Sequence, residues 1–199
     1  NCSEVNIAII DTGIMWAHPD LDVVQGRNFT TADNTGNGDD DYGHGTHVAG
    51  IVAAKNKTGA DSGVVGVCPG AKLWAIKVLD STGSGYFSDI IEGVDYVTAN
   101  APGNNGPIAV ANMSLAGIGY LASFRTAIQN SVGKGVVYVV AAGNNAMDIY
   151  GANGHLDTAS DYNAFLCAFL GQSCGDDFIP AAYPEVATIS AMADSNGMS

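Results

Sequence analysis

The chain has 199 residues, with 7 basic side chains against 20 acidic ones and a formal charge of −13. At 47% hydrophobic and 14% charged residues it carries enough apolar material for one sizeable core, which excludes a disordered chain. No run approaches the ~20 apolar residues of a membrane-spanning helix, and no targeting peptide opens the chain. Seven scattered basic residues cannot form a phosphate-neutralising stripe, so neither membrane nor nucleic acid is an expected partner.

In chain order, short apolar runs predict strands at 5–10, 23–29, 73–78, 108–113, 136–141 and 186–191. Their near-continuous hydrophobicity predicts strands covered on both faces. Between them, a helix is expected from His44 through Val48, Ile51 and Val52 to Ala54. Helical spacing recurs at Ile90, Ile91, Val94 and Val97, and again at Leu121, Phe124, Ile128 and Val132. Alternation of this kind predicts a single α/β domain, a doubly wound and mainly parallel sheet with helices on both faces. Residues 150–179 show no clear period and read as a surface insertion.

The acids are biased: 17 of the 20 are Asp, many beside Gly and Asn, as in the loop 33–41, where short carboxylates suit turns or oxygen-ligated cations. Cys167 and Cys174 bracket A-F-L-G-Q-S and suggest a small closed loop, with buried free thiols as the other reading. Together with scarce lysine and an acidic surface, that loop suggests an extracellular, oxidising setting.

Three polar groups are delivered to the carboxyl edge of the expected sheet, where open α/β folds place ligands. Asp11 ends the first strand in I-A-I-I-D-T-G-I, His44 opens a helix in Y-G-H-G-T-H-V-A-G, and Asn144 follows a strand in V-V-A-A-G-N-N. Singly, these are an ordinary turn aspartate, a structural histidine and a loop asparagine. In this order, together with H-P-D-L at 18–21, N-M-S-L at 112–115 and Y-P-E-V at 183–186, the motifs resemble those of the subtilisin-like serine proteases, across nearly the whole chain.

The resemblance implies a secreted, monomeric endopeptidase acting on extended peptide or protein substrates. Asp11 would orient His44, His44 would act as general base and acid, and Asn144 would donate to the oxyanion. His47 is expected to be structural, and a His44/His47 zinc site lacks a third ligand. Substrate would add as a strand between Gly83, Ser84 and Gly85 on one side and Ser114, Leu115, Ala116 and Gly117 on the other. Ala116 stands where the family commonly has glycine. The wall of the specificity pocket would come from 141–144 and the region of Phe178–Pro180, with Phe178 either occluding the pocket or pointing away.

Calcium is the cofactor the resemblance implies, as a structural ion. Asp20 matches a ligand of the family's tight site, with Asn56 and Asp61 as candidate donors from a loop that is longer than usual and carries two lysines. The loop 33–41 is a second candidate, and Asp194 a weaker third. Cys2 and Cys68 each precede a strand that the family fold places side by side, which allows a disulfide between them and leaves their state open. The family's nucleophile motif, G-T-S-M-A, does not occur in these 199 residues, and Ser199 stands too early in the family's order to serve. The expectation is a catalytic domain truncated at both ends and inactive as it stands. A non-catalytic peptide- or calcium-binding module on the same scaffold is the alternative.

Overall fold

The computed structural model describes residues 2–30, 36–58, 63–145, 148–151, 156 and 177–190. Strands β1 (Asn6–Asp11), β2 (Asp22–Asn28), β3 (Lys72–Lys77), β4 (Ile108–Met113), β6 (Val137–Ala141) and β8 (Ala187–Ile189) form one sheet in the order β2-β3-β1-β4-β6-β8. Every pairing in it is parallel. Two short strands, β5 (Gly117–Ile118) and β7 (Phe178–Ile179), pair antiparallel outside it. The helices are α1 (His44–Ala53), α2 (Phe87–Ala99) and α3 (Ala122–Gly133). The expected strands and helices are therefore present, with ends displaced by a few residues.

Side chains alternate across a strand, and here the alternation divides the core in two. Ile7 and Ile9 of β1, with Leu73 and Ala75 of β3, pack against Val48, Ala49 and Ala53 of α1. Ala8 and Ile10, with Trp74 and Ile76, face Ile90, Val94 and Val97 of α2 and share their cluster with Phe124 and Ile128 of α3. Apolar side chains on both faces of β1 and β3 account for the near-continuous hydrophobic runs. The expectation of full cover fails at β2, where Val24 is 41% exposed, and at β6 and β8, where Val137 and Ile189 are 56% and 58% exposed. The surface-insertion reading of 150–179 also needs correction at its end: Phe178 and Ile179 are buried and form β7. Most of that segment, Cys167 and Cys174 included, lies outside the described residues.

Cys2 and Cys68 are bonded, with Cα atoms 5.3 Å apart. The bridge sits where Lys72 N–H donates to Val5 O at the start of the β1–β3 pairing. From β1 the chain passes to β2 at one edge and returns to β3 between them, then crosses to β4, β6 and β8 on the other side. The winding therefore reverses between β1 and β4, and the carboxyl ends of these two strands flank the crevice in which open α/β sheets bind ligands.

Candidate active site

Asp11 is the last residue of β1, and its side chain is fully buried. Its Oδ1 accepts from Thr12 N–H at 2.7 Å and lies 2.7 Å from His44 Nδ1. Oδ2 is buried without a hydrogen-bond partner among the described residues. Burial pushes the Asp11 carboxyl above its ordinary range, against the opposing pull of the His44 and Thr12 hydrogen bonds. His44 opens α1 with its side chain 43% exposed, so one end of the pair is dry and the other reaches solvent.

Local sequence explains how α1 comes so close. Gly43 precedes it at φ 104°, a left-handed conformation suited to glycine. A Cβ on Gly45 would collide with the Gly13 carbonyl and crowd Asp11, so the second residue of the helix must be glycine for the helix to seat on the D-T-G turn. Asp40 then secures the helix start. It accepts from the N–H groups of Tyr42, Gly43 and Thr46, and from the Thr46 and Thr12 hydroxyls. Burial alone would raise the Asp40 pKa, but the hydrogen bonds from Gly43, Thr46 and Tyr42 outweigh it and hold the carboxyl below the usual range. Thr12 Oγ1 in turn accepts from Gly45 N–H at 2.9 Å. The turn after Asp11 and the turn before His44 are thus joined by direct bonds.

A second brace runs beneath them. Lys77 ends β3 beside Asp11 with its side chain fully buried, and Nζ donates to Thr12 O at 2.9 Å, Leu79 O at 2.9 Å and Asp41 Oδ1 at 2.6 Å. Motif reading missed Thr12, Asp40, Asp41 and Lys77 as supports of the pair. The available signal was a lone lysine inside the apolar run L-W-A-I-K-V-L, since a charge in a buried strand requires partners.

A cleft of about 360 Å³ opens beside His44, lined by Thr12, Leu79, Gly83, Ser84, Gly85, Ile90, Ser114, Leu115 and Ala116. Six of the seven residues expected to hold substrate therefore share one cavity with the histidine. The seventh, Gly117, starts β5 and pairs with Ile179. A Cβ there would strike the Phe87 ring. Asn144 lies three residues past β6 on the same sheet edge, exposed, and is not among the residues lining the cleft. Phe178 is buried, and its ring packs where a Cβ on Gly143 would touch it at 3.5 Å, so it points into the core rather than out to solvent.

The calcium-ligand positions look different. Asp20 Oδ1 is 2.6 Å from Lys57 Nζ, Asn56 is exposed, and Asp61 lies outside the described residues. In the described half of the acidic loop, Asp39 accepts from Trp16 N–H, Asp40 holds the α1 start and Asp41 pairs with Lys77. Residues 33–35 and Asp194 lie outside the described residues. His47 is exposed and does not line the cleft beside His44. No group of three His, Cys, Asp or Glu side chains converges as a metal site among the described residues.

A buried carboxylate bonded to an imidazole at the rim of a cleft, on the carboxyl edge of a parallel sheet, has the geometry that an acid–base pair requires. Comparison with known proteins gives the family. The sequence model described as the subtilase family matches residues 3–199, and the chain belongs to that family of serine proteases. It is 37% identical to subtilisin E of Bacillus subtilis (strain 168) over 194 residues, 98% of this chain and 42% of that protein. Against the subtilisin of Bacillus pumilus identity is 36%, covering 98% of this chain and 58% of the relative. Against subtilisin Savinase of Lederbergia lenta it is 37%, covering 89% and 63%. The chain thus spans roughly half the length of these relatives.

Proposed function

We propose that this chain is the acid–base half of a secreted, monomeric serine endopeptidase. Asp11 orients and supports His44, whose Nε2 takes the proton of an attacking serine hydroxyl and returns it to the leaving amine. The family's nucleophile motif, G-T-S-M-A, does not occur in these 199 residues, so the attacking serine has no assigned position among them. Binding of Nδ1 to a buried carboxylate leaves Nε2 as the nitrogen free for that exchange, and ionised Asp11 stabilises the imidazolium that forms. Asn144 donates its amide to the tetrahedral oxyanion, a role whose loss costs ~3 kcal/mol in comparable sites. The substrate backbone lies between Gly83–Gly85 and Ser114–Gly117 as an added strand.

The 2.7 Å contact between buried Asp11 and half-exposed His44, at the mouth of the cleft, is the observation that carries this reading. The test is fluorophosphonate labelling of the complete gene product. Labelling of one serine, lost in His44→Ala together with ~10⁴-fold or more of turnover, is the expected result. A folded complete protein that takes no label, or labels equally without His44, would show a non-catalytic module instead.

A further inference from the structure

The loop around Asp20 does not fit the calcium ion that the family resemblance implies there. Calcium takes six to eight oxygens at ~2.3–2.6 Å. At Asp20, Oδ1 and the main-chain oxygen already face nitrogen donors. Oδ1 accepts from Lys57 Nζ at 2.6 Å, the main-chain oxygen accepts from Lys55 N–H at 3.0 Å, and the neighbouring Leu21 oxygen accepts from Lys55 Nζ at 3.4 Å. The Lys57 ammonium therefore stands on the candidate carboxylate, with the Lys55 ammonium against the adjoining main chain. A divalent ion on the same carboxylate would sit within ~5 Å of the Lys57 charge, and the repulsion opposes it.

We propose that the Lys57 ammonium is the built-in cation of this loop, closing the segment after α1 onto Asp20 in the position that the resemblance assigns to calcium. The clip joins the turn after β1 to the carboxyl end of α1, where Ala54 N–H still donates to Gly50 O and Lys55 N–H to Asp20 O. A lysine on the same chain is present at its full local concentration whatever the medium, so the closure does not vary with free calcium. This inference depends on the loop alone and stands whether or not the protein cleaves peptides.

Thermal unfolding of the complete gene product, in excess EDTA and in excess calcium chloride, tests it with Asp20→Asn, Lys57→Met and the double variant. The expected result has two parts. The calcium-dependent change in Tm, whatever its size, is the same in wild type and Asp20→Asn. Each single variant lowers Tm by about 1–3 °C in EDTA, and the double variant lowers it no further than one of them. A calcium-dependent rise in wild-type Tm that Asp20→Asn abolishes would overturn the proposal, because Asp20 would then hold the ion. Additive effects of the two single variants in EDTA would overturn it as well. The first comparison needs no Lys57 variant and decides the matter even if Lys57→Met does not fold.

Discussion

Replacing Lys77 by methionine keeps the length and volume of the buried stem and removes only the ammonium. Three acceptors lose their donor at once: Thr12 O, Leu79 O and Asp41 Oδ1. Breaking a buried ion pair by deleting one partner costs about 3–5 kcal/mol, and each orphaned buried acceptor about 1–3 kcal/mol, in terms that overlap rather than add. Asp41 is 34% exposed, so water recovers part of its solvation and the ion-pair share falls toward the low end. The expected loss is about 3–4 kcal/mol, on the order of 10 °C in Tm for a domain of this size. Denaturant titration by circular dichroism measures it. Lys72→Met on the same strand, where the side chain is half-buried, serves as control and should change stability by under about 0.5 kcal/mol. A Lys77→Met loss below about 1 kcal/mol would refute the account of Lys77 as the brace beneath Thr12, since it would mean that the two carbonyls find other donors without cost.

Asp11→Asn in the complete gene product should raise stability at neutral pH while lowering the proposed hydrolysis by about 10⁴-fold. Burial raises the Asp11 carboxyl above its ordinary 3.8, so the native state binds this proton more tightly than the unfolded chain does. The contribution of Asp11 to stability therefore falls as pH rises from 3.8 through the folded value and is adverse above it. Asparagine removes that penalty and forfeits part of the bond to His44. A gain of a few degrees in Tm at pH 7 that disappears toward pH 3 is expected from heat unfolding at several pH values, and a less stable variant at pH 7 would contradict it. Opening the Cys2–Cys68 bridge, by Cys2→Ser with Cys68→Ser, releases a 66-residue separation. Loop-closure entropy sets the loss at up to ~4 kcal/mol, read as a drop in the denaturant midpoint.

Much of the architecture was legible because it is written in short-range pattern. The strands at 5–10, 73–78 and 108–113 are near-continuous apolar runs, each broken by one polar residue, and helix periodicity marked the segments that became α2 and α3. The antiparallel pair β5–β7 was not legible: each strand has two residues, too few for any period, and the partners lie 60 residues apart in sequence. Asp11, His44 and the cleft residues stood out by motif, and the glycines beside them by the close approach they permit.

What sequence alone determined is the sheet edge on which Asp11, His44 and Asn144 stand, because strand ends and helix starts follow from local periodicity and glycine placement. Tertiary structure decided how they are used. The acidic loop 33–41, equally able on paper to bind calcium, lends Asp40 to the start of α1 and Asp41 to Lys77. Asp20, a metal ligand by motif, is paired with Lys57. A carboxylate's role depends on which donor reaches it first in three dimensions, and those donors come from chain segments whose approach no local pattern records.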